Sequence, residues 1–114
     1  MTQINVTVTG DMVNEWLRNN QPGKYMPRRA IECADGFTMS VQAGMNLYCT
    51  PPNDHGPWST VEVGFPSRIE PLLWEYAQEP GKWTDTVYAR VPVDLVAAVI
   101  EVHGGFNLQE RAPK

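Results

Sequence analysis

The side chains best suited to chemistry are few: two cysteines, two histidines and thirteen carboxylates in 114 residues. One cysteine and one histidine share a short run, Leu47-Tyr48-Cys49-Thr50-Pro51-Pro52-Asn53-Asp54-His55-Gly56-Pro57-Trp58. A thiol beside an imidazole could form an activated nucleophile, and with Asp54 and Cys33 brought close it could hold a metal. The spacing favours neither. Structural zinc sites use closely paired ligands such as Cys-x2-Cys or His-x3-His, and no such pair occurs. Thiolate activation requires the imidazole to reach the sulfur, which the five residues between Cys49 and His55 do not establish. Asp54 and His55 also read as turn residues in Asn-Asp-His-Gly-Pro. The phosphate-loop, dinucleotide and nucleophile-elbow glycine patterns are absent. The expectation is a chain without catalytic residues, metal or cofactor; a small Cys/His-centred enzyme or metal protein is the alternative.

The same run suits recognition better. Prolines stiffen it, lowering the ordering cost of binding, and Leu47, Tyr48 and Trp58 are the kinds of residue that anchor interfaces. Asp54 and His55 would sit among them. His103, the other histidine, falls at the end of a helical pattern, where it complements the helix dipole. Trp16, Trp74 and Trp83 read as core or partly buried residues.

These residues need a scaffold, and composition implies one small folded domain over residues 1–106 with a flexible polar tail over 107–114. Hydrophobic residues make up 42% and charged residues 19%, enough apolar content to fold. Net charge is −4 with a pI near 5.0, which argues against an extended basic surface for nucleic acid. Lys24, Arg28 and Arg29 form the one basic cluster and read as a solvated loop. The N-terminus alternates polar and apolar residues, unlike a signal peptide, and no run approaches a membrane span. A cytoplasmic setting with Cys33 and Cys49 as free thiols follows.

Alternation of apolar and polar residues predicts a first strand over 2–9. A helix capped by Asp11 follows, with Met12, Val13, Trp16 and Leu17 on one face. Asp35-Gly36 signals a type I′ hairpin turn, with Ile31 and Cys33 inward on one arm and Phe37, Met39, Val41 and Ala43 on the other. Residues 59–65 predict a strand with Val61, Val63 and Phe65 inward. Ser67-Arg68-Ile69-Glu70 reads as a capping box opening a second helix. Trp83–Val91 predicts a strand with Val87, Ala89 and Val91 inward, and Pro92 starts a last helix ending at Gly104-Gly105. The order is β-α-β-β-β-α-β-α. This is an α+β fold of about five mainly antiparallel strands and three helices, the helices on one face and Thr7, Thr38, Ser40, Gln42, Thr60, Glu62, Tyr88 and Arg90 on the other.

The strings Glu-Cys-Ala-Asp-Gly-Phe-Thr-Met-Ser-Val-Gln-Ala, Tyr-Cys-Thr-Pro, Val-Glu-Val-Gly-Phe-Pro and Ile-Glu-Val-His-Gly-Gly resemble small proteins encoded by tailed phages and prophages, over roughly Ile31 to Gly105. Such relatives often carry Tyr-Cys-x-Pro-Arg, and Pro52 stands at the position of that arginine. The resemblance implies a non-catalytic protein that binds and blocks a host protein in the bacterial cytoplasm, most concretely a CRISPR-Cas effector component in the manner of anti-CRISPR proteins. Charge and hydropathy, taken separately, lead to the expectation of no direct nucleic-acid or membrane partner. Carboxylates that could mimic DNA phosphates are Glu62, Glu70, Glu75, Glu79, Asp85 and Glu101. A virion or assembly component is the remaining alternative.

Overall fold

A computed structural model describes residues 7–22 and 26–107. Among these residues the elements are helix α1 (Gly10–Asn19), strands β1 (Ile31–Glu32), β2 (Thr38–Gln42) and β3 (Thr60–Gly64), a 3-10 helix (Pro71–Tyr76), strand β4 (Val87–Pro92) and helix α2 (Val93–Val102). The strands form one antiparallel sheet in chain order. The fold is α+β, with four strands among the described residues rather than five. Most of the expected first strand, residues 2–6, lies outside them, as do Lys24 and residues 108–114 of the expected tail, and Thr7–Thr9 are not strand. Asn107, the first residue assigned to that tail, donates its N–H to Glu32 of β1.

The hairpin joining β1 to β2 has a different turn from the expected one. Type I′ needs positive φ at both central residues, and of Asp35 and Gly36 only Gly36 has it, at +91°. The Gly36 N–H donates to the Cys33 carbonyl and the Cys33 N–H to the Phe37 carbonyl, so Ala34-Asp35 form the turn and Gly36 supplies a left-handed bulge. The register that results pairs Ile31 with Met39, both fully buried.

Five other expectations are corrected by local chemistry. Thr9, not Asp11, caps α1, its hydroxyl accepting from the Met12 N–H, and Pro92 precedes α2, which begins at Val93. The Ser67 capping box does not form. Ser67 instead exchanges bonds with Thr38 at the start of β2, and Glu70 caps a 3-10 helix because Pro71 can occupy only a first-turn position. In β4 a bulge across from Val61–Val63 places Arg90 at φ +49° and shifts the inward phase, so Tyr88 and Val91 are fully buried and Ala89 is not. Phe65, expected inward, leaves β3 at φ +50° and is 56% exposed.

The core joins Val13, Trp16 and Leu17 of α1 to Met39, Val41, Val61, Val63 and Val91 of the sheet and to Val96, Val99 and Ile100 of α2. The two helices pack on each other, and α2 and the 3-10 helix both pack on β4. Asn14 lets α1 take part. Its amide is buried, donating to the Trp58 carbonyl at 2.9 Å and accepting from the Trp58 N–H at 2.7 Å, as a neighbouring strand would. Replacing Asn14 with Ala strands both backbone groups, and chemical denaturation should show a loss of about 2–4 kcal/mol.

Candidate functional site

Among the described residues no hydrogen bond joins Cys49 to His55 in the Leu47–Trp58 loop. The Cys49 thiol is buried and donates to the carbonyls of Gly44 and Pro51 at 3.2 and 3.4 Å, while accepting from the Gly44 N–H. His55 is exposed, and its backbone N–H donates to the Asn53 side chain at 2.9 Å. Asp54 accepts from the Met45 N–H at 2.7 Å, closing the loop on itself. Among the described residues no group of three or more His, Cys, Asp or Glu side chains is arranged to hold a metal ion.

The proposed anchors divide. Trp58 is a core residue at 1% exposure, its indole N–H donating to the Asn53 carbonyl, so it pins the loop from beneath. Leu47 packs against the core, and Tyr48 is exposed with the Arg90 guanidinium 5.6 Å from its ring centre. Glu62 accepts from the Tyr48 N–H, while Glu75 is exposed and Glu79 pairs with Lys82 at 3.2 Å. Arg28, expected in a solvated loop, is buried at 6% exposure. It bonds the carbonyls of Leu17 and Ala43 and the side chain of Gln21, and lies 5.7 Å from the Trp58 ring centre. Desolvation lowers its pKa, opposed by Asp54 and Cys49. Through the Leu17 carbonyl it adds a cation to the α1 C-terminus, where Arg18 lies in the last turn.

A second cluster lies where three elements meet. His103, at the end of α2, has Nδ1 2.6 Å from Asp35 Oδ2 and Nε2 2.8 Å from Glu70 Oε1. Its ring stacks on Phe37 at 4.0 Å and 6°. Ionised carboxylates only accept, so both bonds are complete when both ring nitrogens donate. The Arg68 guanidinium, 3.1 Å from Asp35 Oδ2, brings a cation to the same carboxylate. Backbone bonds reinforce the joint: the N–H groups of Ala34 and Asp35 donate to the carbonyls of Gly105 and His103.

Glu70 is buried, and its second oxygen accepts from the Leu72 N–H at 3.1 Å, capping the 3-10 helix. The ring therefore offers no free nitrogen to a reacting group in this arrangement and works as a clamp. Local sequence pattern could not reveal it. Asp35 reads as a turn residue, Glu70 as the far member of a Ser67 capping box and His103 as a dipole partner; Asp35 does lie in the turn, and Glu70 is itself the cap.

The clamp holds one end of a segment that displays apolar side chains to solvent: Phe65 at 56%, Ile69 at 57%, Leu72 at 42% and Trp74 at 44% exposure. Trp74 stacks on Trp83 at 5.1 Å, the Tyr88 hydroxyl donates to the Trp83 carbonyl, and the Phe65 N–H donates to the Thr86 carbonyl. These bonds tie the backbone at Phe65 and at Trp83 to the end of the β3–β4 ladder. Trp74, read as a core or partly buried residue, is among the exposed ones.

No family model, no curated protein and no solved structure matches this chain.

Desolvation acts to raise the Asp35 pKa, but the Phe37 N–H, His103 and Arg68 outweigh it, so the carboxyl lies below its ordinary value. A depressed carboxyl stabilises the fold above its unfolded pKa, and that contribution is lost as pH falls through the folded value. Unfolding measured by denaturant from pH 6 to pH 2 should show stability falling on the acid side below about pH 4. Asp35→Asn should lower stability at pH 6 and flatten that fall.

Proposed function

We propose that this chain acts by binding another protein through the exposed apolar surface of residues 65–74 and not by turning over a substrate. The observation that carries this reading is Phe65. Its backbone is left-handed at φ +50°, a conformation that costs a bulky residue about 1–2 kcal/mol, and its side chain is 56% exposed. Burial does not compensate for that strain. A displayed aromatic held in a fixed direction is what a recognition surface requires, and contiguous exposed apolar side chains mark such surfaces. Preorganisation by the His103 clamp supports the same reading, since little is left to order on binding.

The likeness to phage-encoded proteins supplies the concrete form: an inhibitor that occupies a host protein, with a CRISPR-Cas effector component as the leading candidate. The net charge of −4 suits a partner with a basic face. The exposed Tyr48 and the carboxylates Glu62, Glu75 and Glu79 would extend the contact outward from the apolar centre.

The test is capture of the partner from a susceptible bacterial host with the wild-type chain and with Phe65→Ser and Trp74→Ser variants. Each variant should keep its thermal midpoint within a few degrees and lose the captured protein, with affinity falling at least about tenfold, as expected for central aromatic anchors. A complex that survives both substitutions would refute the surface. Turnover of a substrate, abolished by Cys49→Ser, would refute the class.

A further inference from the structure

The aromatic rings of this protein are used repeatedly to hold cations. Arg28 lies over Trp58, Arg29 over Trp16, Arg68 over Phe37 and Arg90 over Tyr48, each guanidinium carbon 5.6–5.9 Å from the ring centre. The stacked pair Trp74–Trp83 has no cation over it among the described residues. Trp74 is exposed and Trp83 half-buried.

The charges around this pair are one-sided. Glu75 follows Trp74 and Asp85 lies two residues beyond Trp83; both are exposed and neither forms an ion pair among the described residues. The two cations of residues 65–85 are already engaged, Arg68 by Asp35 at 3.1 Å and Lys82 by Glu79 at 3.2 Å. The stacked indoles are thus followed closely in the chain by two exposed carboxylates, Glu75 and Asp85, that carry no ion pair among the described residues.

We infer that this face receives an arginine-bearing apolar segment of the partner protein, its guanidinium stacked on Trp74 and Trp83 and paired with Glu75 and Asp85. Arginine fits better than lysine because its planar, weakly hydrated guanidinium can stack on an indole while its edge donates to carboxylates. Apolar residues on either side of it would meet Phe65 and Leu72. This inference rests on the binding reading above and adds the chemistry of the partner.

Three synthetic peptides test it, identical but for alternating positions occupied by arginine, glutamine or glutamate between leucines. They are titrated into the full chain while the Trp74 and Trp83 indole N–H resonances are followed. The arginine peptide should shift both resonances and weaken with added salt. Glu75→Gln together with Asp85→Asn should reduce its affinity about five- to tenfold without changing the thermal midpoint.

If the glutamine or glutamate peptide binds at the two tryptophans as tightly as the arginine peptide, or if the double variant binds it unchanged, the cationic partner is refuted while the recognition surface stands. If none of the three moves either indole resonance, the surface itself fails as a peptide-binding face, and the inference fails with it.

Discussion

An imidazole held between two carboxylates ties together parts of this chain that lie far apart in sequence. Asp35 is in the hairpin turn, Glu70 opens the 3-10 helix and His103 ends α2, so one ring fixes the relative positions of a sheet, a connecting segment and a helix. The surroundings are built to accept it. Gly104 at φ +90° turns the chain sharply after the helix, and a Cβ there would sit 3.0 Å from the Ala34 Cβ. The helix end and the hairpin turn thus approach as closely as a glycine permits, which brings the ring onto Phe37 and within reach of Asp35.

Glu70 links this joint to the exposed surface. One of its oxygens holds His103 and the other caps the turn that carries Leu72 and Trp74, so one carboxylate belongs both to the clamp and to the segment outside it. The segment is short and mostly exposed, and little core packing of its own would keep it in place. Leu73 is its one fully buried anchor. A clamp at its start, the Trp74–Trp83 stack and the bridge from Ala77 to Tyr88 at its end supply the rigidity that a binding surface needs to avoid ordering costs.

Much of the scaffold was legible in the sequence because periodicity reports burial. Ile31, Cys33, Met39, Val41, Val61 and Val63 alternate as inward strand positions should, and Val96, Ala97 and Ile100 recur at helical spacing. The misreadings cluster where one backbone angle breaks the period. Phe65 continues the alternation of β3 on paper, yet a left-handed φ turns it outward, and the bulge at Arg90 moves Tyr88 inward past Ala89. Nothing local marks either residue.

The tryptophans show the same limit for the site. Trp58 sits between Pro57 and Ser59 in a polar loop and reads as exposed, but Asn14 pairs with its backbone from 44 residues away and draws it into the core. Trp74 has helical apolar neighbours and reads as core or partly buried, but it lies in a 3-10 helix that opens at Pro71, whose side chains follow a different rotation from an α-helix, and it is exposed. A long-range partner accounts for the first case, and local 3-10 geometry for the second.

The most direct measurement is a thermodynamic cycle through the clamp. Unfolding free energies would be determined for Asp35→Ala, Glu70→Ala and the double variant, first with His103 present and then with His103→Ala. If the ring transmits force between turn and segment, the two substitutions will be non-additive by more than about 0.5 kcal/mol with His103 in place and additive once it is removed. Additivity in both backgrounds would show that the two carboxylates act separately, and the clamp would no longer explain how the surface is held.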